Sequence, residues 1–290
     1  MTSSLANEYF EAEARPANVL YDFASNGSTS VGFGLELDLD AGHTVADDGE
    51  KKSDDNANNM NSACRVFIIP DLLSDQECDD LIEDGENAGI GDPHPSAGTF
   101  RTAKRTNNYH STNLSNLVHQ RIQTKLTEKL AHANDGMGSY HGIHNNWRIV
   151  RYDPGDKFPA HQDQMDSIQV KNEETGMKEL FVSSHTLIVN LSQPRLLGGN
   201  LRFYPNCKVR PTGEKPQCYN YSVDVRVPRG WAVAFRQKGL IHAGQPVSTE
   251  SPVPKYVAQA GILRRMEPGM HIQPSVFRNG PGLNALLGTA

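Results

Sequence analysis

No stretch of this chain reaches the roughly 18 consecutive apolar residues that a membrane helix requires, so no spanning segment is expected. The first twenty residues, MTSSLANEYFEAEARPANVL, carry three Glu and no apolar core. They do not read as a secretory signal, and a cytoplasmic location is expected. Cysteine is scarce. Cys64, Cys78, Cys207 and Cys218 have no CxxC spacing, which argues against a zinc knuckle. Cys207 and Cys218 are close enough in sequence to pair across a loop, but free thiols in a reducing compartment are the ordinary reading. Positive charge is not in excess: 28 Lys and Arg stand against 34 Asp and Glu, for a net charge of -6. A surface that tracks phosphates needs clustered Lys and Arg, so nucleic acid is disfavoured as a partner. Hydrophobic residues are 37 % of the 290, enough for one sizeable core and low for a chain packed throughout.

A polar, loosely packed portion is therefore expected, and residues 1–64 supply it as an N-terminal leader. Within it VGFGLELDLD, Val31 to Asp40, alternates apolar residues with Gly or acid, as a half-buried strand added at an edge would. ADDGEKKSDDNANNMNS, Ala46 to Ser62, has almost no apolar content and reads as a flexible linker. Residues 65–290 form the second unit. CRVFIIPDLL reads as a strand entering a turn. Ser74 with Glu77 forms a capping box, Leu73 and Cys78 the staple, and Gly89 a stop for the helix between them. A second helix is predicted from about Asn113 to Leu130, because Leu114, Leu117, Val118, Ile122, Leu126 and Leu130 follow the 3.6-residue period. From Asn146 to Arg265 the pattern changes to short runs rich in branched and aromatic residues (WRIVRY, HTLIVNL, NLRFYP, VDVRVP, WAVAF, KYVAQAGIL), separated by Gly, Pro and Asn. That is the signature of a β sandwich or barrel. The fold class expected is α+β, mainly β, with a core at about 146–265 and helices packed on one side.

His161 and Asp163 in HQD are two residues apart. Residues i and i+2 of a strand project to one face, so both can reach one ion. A third ligand from a distant strand would complete two imidazoles and a carboxylate, an arrangement that suits non-haem Fe(II) with positions left open. The spacing alone is weak: 11 His and 19 Asp in 290 residues give about 0.7 such matches by chance.

Its surroundings say more. RYDPGDKFPAHQD resembles the strand, Pro-Gly turn and HxD of the prolyl 4-hydroxylase-like branch of Fe(II)- and 2-oxoglutarate-dependent oxygenases. LIVNLSQPRLLGGNLRFYP resembles that family's next segment, and GLIHAGQPV followed by PKYVAQAGI its last. VFIIPDLLSDQECDDLIEDGENAG resembles its leading strand and helix, and FRTAKRTNNYH the segment before the second helix. The resemblance spans about 66–265 and implies a double-stranded β-helix, or jelly roll. It implies His161, Asp163 and His242 as metal ligands, and Lys255, Tyr152 and Asn190 as residues that bind 2-oxoglutarate. It departs from the family where STESP lengthens the gap between His242 and Lys255. A register shift there would hand the role of Lys255 to Arg264 or Arg265. The base is also Lys, a point charge and not the forked Arg of some members.

If Lys255, Tyr152 and Asn190 point inward, strand alternation brings Val257, Gln259, Val150, Arg148, Ile188 and Thr186 with them. So polar an interior suits a dianion, since each unpaired buried polar group costs about 1–3 kcal/mol. The substrate residues expected are Arg105, Asn107, Tyr109, Arg148, Thr186, Gln259 and Arg264. His185, His141 and His144 are ordinary histidines or, for His185, part of an entrance. The activity implied is oxidation of an unactivated C–H bond, by hydroxylation or ring closure, with release of succinate and CO2. The cofactors are Fe(2+), 2-oxoglutarate and O2, with ascorbate as reductant. The substrate expected is a small amino-acid-like molecule or natural product. The alternatives are a prolyl residue of a peptide or protein or, in another class, a β-barrel binding protein without catalysis.

Overall fold

The structure is a computed structural model and describes residues 19–22, 35–38, 65–91, 102–106, 109–131, 138–172, 175–205 and 221–266. In chain order these form β1 (Val19–Asp22), β2 (Leu35–Asp38), β3 (Arg65–Ile69), α1 (Asp75–Asn87), β4 (Ile90–Gly91), β5 (Lys104–Thr106), β6 (Tyr109–His110) and α2 (Thr112–Ala131). There follow β7 (Tyr140–Ile143), β8 (Asn146–Tyr152), β9 (Phe158–His161), β10 (Ser167–Lys171), β11 (Lys178–Asn190) and β12 (Leu201–Tyr204). The last are β13 (Val223–Arg226), β14 (Ala232–Arg236), β15 (Ile241–Gly244) and β16 (Lys255–Arg265). No helix among the described residues is long and apolar enough to cross a membrane.

Eight of these strands make the core. One sheet runs β8–β16–β11–β14 and the other β9–β15–β12–β13, with every neighbouring pair antiparallel. Counted among the eight, the orders are 1-8-3-6 and 2-7-4-5, which is the jelly roll. β3 and β2 extend the first sheet beyond β14, while β5 and β4 extend it beyond β8. β1 pairs in parallel with β13 at the edge of the second sheet. A four-residue parallel strand contributed from so far upstream has no local signal, and the sequence reading missed it.

The two helices cover the outer face of the larger sheet. Both caps arise from local chemistry. Ser74 accepts from the Glu77 backbone N–H and Glu77 accepts from that of Ser74, closing the capping box of α1. Gly89 then takes φ +85 just past its end. In α2, Val118, Ile122, Leu126 and Leu130 are buried against Trp147, Ile149, Leu187, Val189, Ala258, Ala260 and Ile262 of the sheet. Each such large side chain contributes about 1.5–3 kcal/mol by leaving water. Polar ties fix the register: Trp147 Nε1 donates to Ser115 Oγ at 2.9 Å, and Arg121 reaches both Leu72 O and Glu77. Between the two sheets lies a second apolar cluster, including Ile68, Phe203, Val225, Val233 and Phe235. A third cluster, including Val150, Tyr152, Leu196, Val247 and Val257, borders the space where the site forms.

Candidate metal centre

Pairing between β9 and β15 sets His161 and His242 directly opposite each other. Strand alternation turns His242 inward, where it is buried and meets the rings of Phe235 and His161 at 4.5 and 4.4 Å. Phe158 stacks on His161 at 3.8 Å. The sequence reading placed Asp163 on the strand of His161. The structure corrects this: β9 ends at His161, and Asp163 lies in the irregular chain beyond it. The pairing of β9 with β15 is itself irregular between His242 and Gly244. Asp163 nevertheless turns back to the imidazoles, with Oδ1 3.4 Å from His161 Nε2 and Oδ2 3.6 Å from His242 Nε2. The three ligand atoms lie within 4.8 Å of one another.

The donor chemistry fits a divalent cation. His161 Nδ1 sits 2.8 Å from the carbonyl of Pro159, and His242 Nδ1 3.3 Å from that of Leu240. A carbonyl only accepts, so both Nδ1 atoms carry the proton and both Nε2 atoms present lone pairs toward the carboxylate. Burial, and then the neighbouring His161, lowers His242 to about 4, so it is neutral near pH 7. Burial alone would raise the Asp163 carboxyl. The two histidines and the Thr186 hydroxyl outweigh it and hold Asp163 well below the usual carboxylate range. Thr186 Oγ1 donates to Asp163 Oδ2 at 2.5 Å, and Gln259 Nε2 approaches the same oxygen at 3.4 Å. Second-layer bonds of this kind orient a metal ligand.

The trio opens on a cavity of about 550 Å³. Arg105, Arg148, Val150, Tyr152, Ile188, Lys255, Val257 and Gln259 also line it. Lys255 is opposite Tyr152 in the pairing of β16 with β8. The extra STESP residues cause no slip. They fold as a turn in which Ser251 N–H donates to Ser248 O and Ser251 Oγ accepts from Leu197 N–H. The Lys255 ammonium donates to Gly199 O at 2.6 Å and lies 4.9 Å from the Tyr152 ring centre. It meets no carboxylate among the described residues, and burial lowers it to about 8. Gly199 has φ +69, and a Cβ there would stand 3.0 Å from Lys255 Cδ. The second glycine of GGN thus shapes the bed of this lysine.

Several residues expected at the cavity lie elsewhere. Asn190 points into a different space, donating to Val227 O at 2.8 Å and accepting from Ser192 N–H at 3.1 Å. Its carboxamide is spent on the chain's own turn. Tyr109 donates to Asp84 of α1 at 2.9 Å and serves the helix layer. Arg264 is 2 % exposed and donates to Gly138 O and Leu130 O, pinning the end of α2. Arg265 pairs with Glu179 at 3.0 Å on the surface. Thr186 holds Asp163 and does not line the cavity. His185 is buried beside Ser184 and Phe67, away from the entrance, and burial pushes it down to about 3. His141 stacks on Phe181, and His144 accepts from Asn146 N–H. Asn107, Cys64, Cys207 and Cys218 lie outside the described residues; Cys78 is buried and free. Phe158, Gln162, Gln164, Leu201 and Gly244 line the cavity and were not foreseen. Gly244 leaves room for Tyr152, whose Oη would be 3.1 Å from a Cβ there.

No family model matches the chain, and no curated protein matches it. Among solved structures it is similar to the viral collagen prolyl hydroxylase of Paramecium bursaria Chlorella virus-1, with a TM-score of 0.42 and 21 % identity over 68 % of this chain and 95 % of that one. A prolyl hydroxylase from Trichoplax adhaerens, solved with a peptide of hypoxia inducible factor, gives 0.43 and 15 % over 72 % and 86 %. The carbocyclase SnoK of nogalamycin biosynthesis gives 0.45 and 14 % over 69 % and 79 %. With TM-scores below 0.5, these likenesses establish no shared activity.

Proposed function

We propose that this chain is an Fe(II)- and 2-oxoglutarate-dependent oxygenase that oxidises an unactivated C–H bond of a small amino-acid-like or natural-product substrate. One observation carries the reading: a cavity with two lone-pair imidazoles and a carboxylate on its wall also contains a buried ammonium with no anionic partner among the described residues. A metal trio asks for a cation, and a buried lone ammonium asks for an anion. 2-Oxoglutarate satisfies both, having a chelating keto acid at one end and a carboxylate at the other.

His161, Asp163 and His242 would hold the iron from one side, with Thr186 and Gln259 fixing the Asp163 carboxylate. Bound together, iron(II), 2-oxoglutarate and O2 supply the oxidising equivalent for C–H cleavage, with succinate and CO2 released. Lys255 grips the distal carboxylate. Its bond to Gly199 O and its place over Tyr152 keep the ammonium fixed, so little reorganisation accompanies binding. Val150, Ile188 and Val257 give the cavity dry walls, which strengthen that ion pair. Arg105 and Arg148 line the same cavity and place positive charge where a substrate carboxylate would dock. Arg148 also pairs with Asp166, at 3.4 Å. Ascorbate would serve as reductant.

The test is substrate-stimulated succinate release, screened over free amino acids, their prenylated and acylated derivatives, and prolyl peptides. Stimulation by a small carboxylate-bearing compound is expected. Stimulation by prolyl peptides alone would reassign the substrate. Succinate release that persists in His161→Ala would overturn the metal assignment.

A further inference from the structure

A second cavity, of about 360 Å³, adjoins the first. The two share Ile188, Leu201, Lys255 and Val257 as a common wall, and the metal trio borders only the first. The second is basic. Arg226, Arg229 and Lys255 line it, and among the described residues no Asp or Glu does. These charges come from opposite sides, since Arg226 ends β13 in one sheet and Lys255 begins β16 in the other.

The three cations differ in how their charge is matched. Among the described residues Lys255 meets the Tyr152 ring and the Gly199 carbonyl, itself part of the second cavity's wall, and no carboxylate. Arg226 gives one bond to Leu196 O and stands 4.0 Å from Asp22. The Arg229 side chain is 7 % exposed. Two carboxylates match its charge, since its Nη2 donates to Asp79 and to Asp75 O and its Nε forms an ion pair with Asp75 Oδ1 at 3.3 Å, but its Nη1 is buried with no hydrogen-bond partner among the described residues. A buried guanidinium N–H without an acceptor is costly, and a bound acceptor would recover that cost.

We infer that this second cavity is a binding site for a small polycarboxylate, distinct from the place proposed for 2-oxoglutarate. The space is larger than one compact oxyanion needs, and its charges face each other across it, which suits a molecule with carboxylates at both ends. Lys255 stands in both cavities. If the first holds 2-oxoglutarate, as proposed above, an anion in the second competes for the same ammonium and weakens the grip on the co-substrate.

Citrate is the probe, titrated by calorimetry into the metal-free full chain, where chelation plays no part. Binding is expected. Arg226→Gln should weaken it about tenfold, because one charge-assisted bond is lost. Gln193→Glu tests the same point from an exposed position on the wall, adding a negative charge with little risk to folding. It should also weaken citrate, and neither variant should change 2-oxoglutarate affinity in citrate-free buffer. Citrate should raise the apparent Kd for 2-oxoglutarate in the parent chain, and Arg226→Gln should need about tenfold more citrate for the same rise. The site is refuted if citrate does not bind, if both variants bind it unchanged, or if only Arg148→Gln, in the first cavity, removes it. Phosphate binding as tightly as citrate would refute the two-ended ligand. A chain that releases no succinate would still bind citrate, so this result and the oxygenase reading fail separately.

Discussion

Strands β11 and β16 each carry two different chemistries on their two faces. Toward the helices they present Leu187, Val189, Ala258, Ala260 and Ile262, all buried and all apolar. Toward the space between the sheets, one residue along, they present Thr186, Ile188, Lys255, Val257 and Gln259. The backbone is common to both, so the difference lies in what each face must do. The outer face must leave water and fill volume. The inner face must keep a few polar groups fixed around a space. Polar residues there cost stability that the outer face supplies, which is how a fold supports a site.

If that division holds, substitutions on the two faces should separate stability from binding. Leu187→Ala, on the helix side, should cost about 2–5 kcal/mol in denaturant unfolding while leaving metal affinity unchanged in the folded fraction. A loss of metal affinity at equal foldedness would erase the distinction. Lys255→Met, on the inner side, should weaken 2-oxoglutarate by about a hundredfold, the scale of removing one partner from a buried charge pair. Stability should hold or rise, since an unmatched buried ammonium disappears. Thr186→Val keeps the shape and removes the hydroxyl that orients Asp163. Metal affinity should fall about tenfold, with the thermal midpoint nearly constant.

The smallest effect is with pH. Burial lowers Lys255 to about 8, so the ammonium is charged below that value and neutral above it. Affinity for 2-oxoglutarate should therefore be steady below pH 8 and decline as pH rises through it. In Lys255→Met that decline should be absent. A parent chain whose affinity improves above pH 8 would contradict the role given to Lys255.

Much of this was legible in the sequence because the signals were local. The Ser74–Glu77 box, the α2 stripe and the β runs each fix their element within a few residues. Lys255 was legible too, and the STESP turn does not displace it, because the turn is tied to the chain at Leu197 and leaves the strand in phase. What was lost depends on contacts distant in sequence. Nothing near Tyr109 announces Asp84, and nothing near Asn190 announces Val227 O. Arg264 is more instructive. It is nine residues from Lys255, so alternation puts the two on opposite faces, and parity alone would have excluded it from the cavity. Phe158, and the position of Asp163 beyond the strand, escaped for the opposite reason: β9 ends and its pairing with β15 slips there, so simple alternation does not carry through.

The central claim is that three side chains hold one ferrous ion to which 2-oxoglutarate binds. Anaerobic titration of Fe(II) with 2-oxoglutarate, followed by visible absorption, tests it most directly. One equivalent of iron should produce a charge-transfer band in the parent chain, and no band should form in His161→Ala, Asp163→Ala or His242→Ala. A band of full strength in any of these three would contradict the account.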